Sequence, residues 1–335
     1  MSNIKERLVE QERKFLSPYA TLSANTKGRE RALTECDLRT EFQRDRDRII
    51  HSQSFRRLMN KTQVFLAPAG DHYRTRLTHT LEVTQIARTV ARALALNEDL
   101  TEAIALGHDL GHTPFGHAGE MVMQECFSPD FSHNMQGVRV VEKLENNGRG
   151  LNLTFEVRDG IAHHSGKGTP STPEGMIVRL ADRVAYINHD IDDALRAGIL
   201  HRDEIPADVR EILGNTHGER IDTMVLSMIR ASTDRPEITM EHDVLEATGR
   251  LRNFLFERVY RDSAAKDEET KAKALLAQLF DYFKTNPDKL PPDYQKTAEA
   301  ESVGRAVCDY LSGMTDRYAI ELYHNLFVPE VWRVK

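Results

Sequence analysis

Cysteine is scarce in this 335-residue chain. Cys36, Cys126 and Cys308 stand far apart and make no CxxC pair. That argues against a disulfide framework or a cysteine zinc knuckle and fits a reducing compartment. No apolar run reaches the roughly 18–20 residues that a membrane helix needs. The opening "MSNIKERLVEQERKFL" is charged and lacks the apolar core of a secretion signal, so the expected address is the cytoplasm. Strand signals are few, and neither internal repeats nor low-complexity tracts occur. Aromatics make up only 7% of the residues, but an apolar content of 40% suffices for a packed core and argues against disorder. A formal net charge of -7 gives no whole-chain attraction to nucleic acid.

Helical periodicity is what remains. Residues 1–44 read as an arm with one short helix, and "LSPYATLSANTKGRE", holding Pro18 and Gly28, reads as loop. From Asp45 a helix is expected, with Ile49, Ile50, Phe55 and Leu58 on a narrow apolar stripe. Its other face carries Arg44, Arg46, Arg48, Arg56, Arg57 and Lys61. Such a run is usually a solvated face; a subunit interface or a nucleotide-binding surface are the alternatives. After the loop "APAGDHYRTR" a long helix begins near Thr75. On it His79, Val83, Ile86 and Val90 step by four, three and four, so His79 points inward. "NEDLTEAIALGHDL" is a second helix with start signals at Asn97 to Thr101. Gly111 and Pro114 break the run, and helix resumes near Ala118. "MQGVRVVEKLE" reads as helix, "LNLTFEVRDGIAHH" fits strand and helix alike, and "SGKGTPSTPEG" reads as a flexible surface excursion. "MIVRLADRVAYINHDIDDAL" is amphipathic helix, and further helices are expected near 207–213, 217–231, 241–261, 267–284 and 294–325. The expected fold is all-α: the arm, a core over 45–200 that carries the motifs, and a C-terminal helical region over 201–335 packed on it.

Two histidines and two acids stand out: His79, the adjacent pair His108-Asp109, and Asp182. A lone histidine on an apolar face is most often a satisfied core residue. An ordered set of two imidazoles and two carboxylates is costly to bury unless it binds something. Imidazole nitrogen and carboxylate oxygen suit one divalent ion: Mn, Fe, Ni or Zn, and with more water Mg. Ligands from separate helices can leave coordination positions open, as metal-assisted hydrolysis requires.

The order His…His-Asp…Asp resembles the HD superfamily of metal-dependent phosphohydrolases. The wider text resembles the deoxynucleoside triphosphate triphosphohydrolases, the dGTPase family, from about residue 44 to 325. It includes "RDRIIHSQSFRRLMNKTQVF", "RLTHTLEV", "HDLGHTPFGHAGE", "FSHNMQG", "LADRVAYINHDIDDA" and "DYLSGMTDRYAIELY". The resemblance implies an HD helical core with a C-terminal helical extension. It implies hydrolysis of a dNTP, with dGTP one possibility, to deoxynucleoside and triphosphate. Water attacks the α-phosphorus, and the usual assay ions are Mg or Mn.

The resemblance also implies roles. Arg76, three residues before His79 and on its face, would clamp phosphate, as guanidinium geometry favours. Arg183, where some relatives carry lysine, would add a phosphate contact. His117 and Glu120, spaced by three on one helix face, would form a hydrogen-bonded proton-transfer pair. His112 would line the phosphate site, and His133, followed by Asn134 where relatives often carry glutamate, would be a further active-site histidine. Tyr186, Asp190 and Gln63 would meet the deoxyribose. Taken alone, Glu120 reads as a helix-start acid and Tyr186 as an amphipathic core residue. The segment around Asp316, Tyr318 and Tyr323 reads as core packing, with closure of a base pocket as the alternative. Family members imply a homo-oligomer (tetramer or hexamer), sometimes a second, activating nucleotide, and in some cases single-stranded DNA binding, for which this acidic chain gives no independent support. The competing functions are an HD hydrolase of nucleoside monophosphates, cyclic nucleotides or guanosine tetraphosphate, and a non-catalytic nucleotide- or nucleic-acid-binding regulator.

Overall fold

The computed structural model describes residues 3–63, 74–260 and 266–329. Among these every regular element is helical, and the only β pairing is an isolated bridge between Thr62 and Thr75. The helices in order are α1 (Ile4–Phe15), α2 (Glu41–Ile50), α3 (Gln53–Arg57), α4 (Arg76–Ala93), α5 (Glu98–Gly107), α6 (His117–Cys126), α7 (His133–Arg139) and α8 (Phe155–His163). They continue with α9 (Pro173–Arg196), α10 (Ala207–Leu213), α11 (His217–Ser232), α12 (His242–Leu255), α13 (Lys266–Thr285), α14 (Pro292–Ala300), α15 (Val303–Ser312) and α16 (Asp316–Phe327). No described helix is long and apolar enough to cross a membrane.

Side-chain caps fix the helices that matter for the site. The Thr75 hydroxyl accepts from Thr78 N at the start of α4, and Asn97 accepts from Leu100 N at the start of α5. Thr172 accepts from Gly175 N and Pro173 occupies the first turn of α9, which turns the end of the "SGKGTPSTPEG" excursion into a helix start.

Three expectations change. The single basic helix from Asp45 is two helices, because Ser52 takes up an extended backbone and its hydroxyl caps α3 by accepting from Phe55 N. "LNLTFEVRDGIAHH" resolves into an extended lead-in followed by α8. The helix expected over 294–325 is three, α14 to α16, parted by caps at Ser302 and Thr315. Most of the loop "APAGDHYRTR" lies outside the described residues.

Among the described residues, apolar packing forms two bodies. The first gathers α2, α4, α5, α8 and α9 with α10, α11 and α12, around Val83, Val90, Ile104, Ile161, Ile177 and Ile187. The second gathers α13, α15 and α16 on α6, around Val122, Met123, Leu276, Phe280, Val307 and Leu311. The helices over 207–255 therefore share the core of the motif-bearing helices. The turn joining α5 to α6 lies where the two bodies meet, since Leu110 belongs to the first and Phe115 to the second.

Candidate metal centre and active site

α4, the C-terminal end of α5, and α9 pack together and bring His79, His108, Asp109 and Asp182 to one buried point. His79 Nε2 lies 3.1 Å from Asp182 Oδ1 and 3.9 Å from Asp109 Oδ2. His108 Nε2 lies 3.4 Å from Asp109 Oδ1 and 3.8 Å from Asp182 Oδ1. His79, His108 and Asp182 converge closely enough to share an ion. The His108 Nδ1–H donates to the Ala105 carbonyl at 2.6 Å, which fixes the tautomer and turns the Nε2 lone pair inward. That Nε2 is buried and finds no hydrogen-bond partner among the described residues. An inward lone pair beside two carboxylates, with no donor to satisfy it, fits a divalent cation. Burial opposes ionisation of Asp182, but the hydrogen bond from His79, ahead of the other neighbouring imidazoles, holds its carboxyl at about 2. For Asp109, burial is likewise outweighed by His108, His112 and Arg76, which hold its carboxyl well below the usual range.

Asp109 is shared between the ion site and its neighbours. Its Oδ2 accepts from Arg76 Nη1 at 2.9 Å, and its Oδ1 lies 3.0 Å from His112 Nε2. Arg76 is thus held at the site by Asp109. Gly116 leaves room for it: with φ of +55°, a Cβ there would sit 3.2 Å from Arg76 Nη2 and 3.4 Å from Gln63 O. Gly111 lets the turn approach α7, since a Cβ would collide with Gly137 N and His133 O. This approach stacks His112 on His133, ring centres 4.0 Å apart.

Glu120 is paired differently from expectation. His117, the first residue of α6, is 82% exposed at its side chain, and its Nδ1 is 3.8 Å from Glu120 Oε2, too far for a hydrogen bond. The carboxylate turns instead to His133: Oε1 accepts from His133 N at 3.0 Å and lies 3.1 Å from His133 Nδ1. Burial would raise the Glu120 pKa, but His117, His133 and His112 draw it far below the usual carboxylate range. Burial and the nearby Arg76 charge push the His112 imidazole well below its usual value, so it is neutral. His112, Glu120 and His133 also lie close enough to hold an ion. The stacking argues against it, because parallel rings direct their in-plane lone pairs side by side and not toward one point.

On α9, Tyr186 is half-buried and Asp190 buried, one and two turns beyond Asp182. Arg183 is half-buried and near Arg179. Gln63 is half-buried; its carbonyl faces Arg76 Nη2 at 3.5 Å, and its buried Oε1 has no hydrogen-bond partner among the described residues.

The sequence reading missed three neighbours. His164, at the end of α8, donates Nδ1–H to the Ile161 carbonyl at 2.8 Å and sets Nε2 3.2 Å from His133 Nε2. Burial pushes it down to about 3. The "AHHSG" text carried a signal, two histidines ahead of a glycine turn, hidden by the strand–helix ambiguity. His189 packs edge-on to His79 at 6.0 Å and is pushed by burial to about 2. Arg252, on α12, lies beside the Tyr186 phenol, and no local pattern marked it. Tyr323 packs with the second body as expected, whereas Tyr318 is exposed and Asp316 is drawn into the turn before α6.

A helical bundle that presents two imidazoles and two carboxylates in the order His…His-Asp…Asp defines an HD phosphohydrolase, a metal-dependent hydrolase. The HD domain matches residues 76–187 and the phosphohydrolase-associated domain residues 238–325. A "Deoxyguanosinetriphosphate triphosphohydrolase-like protein" of Caldanaerobacter subterraneus subsp. tengcongensis is 58% identical, over 98% of this chain and 97% of its own. Proteins of the same description from Desulfatibacillum aliphaticivorans and Clostridium tetani are 49% and 46% identical, over 97% and 98% of this chain and 98% and 97% of theirs. The chain belongs to this family of deoxyguanosinetriphosphate triphosphohydrolase-like proteins. A hypothetical protein from Aquifex aeolicus shares the fold, with a TM-score of 0.51 at 19% identity, over 85% of this chain and 68% of that one.

Proposed function

We propose that this hydrolase is a deoxynucleoside triphosphate triphosphohydrolase. Its substrate is a dNTP, and its products are the deoxynucleoside and intact triphosphate. The observation that carries the reading is the polar face of α9, which runs from Asp182 at the ion site through Tyr186 to Asp190. A phosphate-only hydrolase has no use for such an extension, whereas a deoxyribose attached at the α-phosphate would lie along it.

His79, His108, Asp109 and Asp182 would hold one divalent ion, with Mg or Mn expected to support turnover. Bound there, the ion would supply positive charge beside the phosphates and activate water. Arg76 and Arg183 would meet phosphate oxygens, and Gln63, Tyr186 and Asp190 the sugar. Water bonds to the α-phosphorus as the bond from phosphorus to the 5′ oxygen breaks, and that oxygen takes a proton. Glu120 and His133 form the buried proton-handling pair, His112 sits stacked on it at the phosphates, and His117 at the mouth donates the proton. Run in water carrying heavy oxygen, the reaction should label the triphosphate and leave the deoxynucleoside unlabelled. Label in orthophosphate or pyrophosphate as the first product would overturn the reading.

A cleft of about 590 Å³, lined by Arg39, Arg44, Arg48, His51 and Arg56 and also by Asp47 and Glu145, is the proposed second nucleotide site, its basic side chains outnumbering its acids. The proposed setting is a cytoplasmic homo-oligomer, tetramer or hexamer. Arg56→Glu should abolish activation by a second nucleotide and leave unstimulated turnover intact; equal loss of both would count against a regulatory site.

A further inference from the structure

The turn before α6 is gripped from the C-terminal region. Asp316 opens α16 and is buried. Its Oδ1 accepts from Phe115 N at 3.0 Å, and its Oδ2 accepts from Thr62 N at 2.9 Å and from the Thr62 hydroxyl. Phe115 has φ of +61°, a left-handed backbone that a bulky residue adopts only when its surroundings hold it there. Here it is held at both ends. Phe115 is 6% exposed and packs in the second apolar body with Leu311, Met314 and Ala319, and its amide is taken by Asp316.

The same contacts reach the site from two sides. Gly116, the next residue, lies against Arg76, and His117 follows as the first residue of α6. Lys61, one residue before Thr62, is buried and donates from Nζ to the His112 carbonyl and, at 2.8 Å, to the Ser312 carbonyl. The Lys61 carbonyl accepts from Arg76 N at 3.0 Å, and Gln63 follows Thr62. The strand-like piece 61–63 is thus clamped between the active-site turn and the C-terminal region.

We propose that Asp316 is a positioning residue. Its carboxylate locks the left-handed turn at Phe115 to Thr62, and so sets His112, His117 and Arg76 relative to Gln63. The consequence for turnover rests on the hydrolytic reading above; the grip itself does not. A carboxylate suits the task because its two oxygens accept from two backbone amides at once. An asparagine of the same size can accept from only one of them.

The test is Asp316→Asn in the full-length, metal-loaded protein, with Thr62→Val as a milder partner that removes only the hydroxyl bond. Amide hydrogen exchange should rise in peptides over 109–120 and stay unchanged over 272–311. For the dNTP that wild type hydrolyses, kcat should fall roughly ten- to a hundredfold, as for a displaced catalytic group, with KM within about twofold. Thr62→Val should lie between Asp316→Asn and wild type. A kcat within about twofold of wild type in Asp316→Asn would overturn the proposal. So would exchange that rises equally through 272–311, because that marks a loosened core and not a misplaced turn. If wild type hydrolyses no dNTP, the hydrolytic reading fails and the exchange comparison still judges the grip.

Discussion

His108 and His164 each tie Nδ1–H to a backbone carbonyl one turn back, and His133 sets Nδ1 against the Glu120 carboxylate. The carbonyls fix the tautomers of His108 and His164, with Nε2 turned inward, whereas His133 Nε2 faces His164 Nε2 at 3.2 Å and one of those two nitrogens carries the proton between them. On the proposed mechanism Glu120 handles protons and does not hold the ion. Glu120→Gln should keep wild-type metal content by elemental analysis and lower kcat about 10²–10⁴-fold; loss of the ion would instead make Glu120 a ligand. Lys61 gives a pH test. Burial, then the Arg57 charge, pushes its ammonium from the ordinary 10.5 to about 7. Between those values the unfolded lysine holds its proton and the folded one releases it, so wild type should gain stability as pH rises from 7 to 10.5. Denaturant titrations across that window should show the gain, and Lys61→Met should lack it. At this scale the meeting of His79, His108, Asp109 and Asp182 was legible, because helix ends and spacings constrain all four. The partner of Glu120 was not, because His117 and His133 compete for it and only the close approach at Gly111 decides between them.

Helices were legible as elements and less so as boundaries. α4 and α5 announce themselves by period and by Thr75 and Asn97; α9 does so by period alone, its cap Thr172 lying in a stretch that reads as loop. The splits at Ser52, Ser302 and Thr315 were written in the same cap chemistry, but apolar periodicity ran through them and hid it. The clamp of Lys61, Thr62 and Asp316 could not be read at all, since residues more than 250 apart in sequence meet there. Gly111 tests how far the site depends on one turn. Gly111→Ala must displace either α7 or the turn, so it should unstack His112 from His133 and cut turnover more than it lowers stability. Turnover and the denaturation midpoint, measured on the same preparation, check this.

The described residues pack as two apolar bodies with the candidate active-site turn between them, and substitutions far from the site should sort accordingly. Leu276, fully buried in the second body, should cost about 2–5 kcal/mol as Leu276→Ala in denaturant unfolding. The ion should stabilise the first body, since it binds only the folded site. Saturation at about a hundredfold excess over Kd is worth roughly 3 kcal/mol, so chelation should lower the melting midpoint and added Mn restore it. No such shift would mean that the four ligands hold no ion. The central claim is the bond that breaks. Purified protein incubated with each dNTP and Mg or Mn, with products separated over time, should yield deoxynucleoside and triphosphate in equal amounts from the first time point. Pyrophosphate or orthophosphate as the primary product would contradict it.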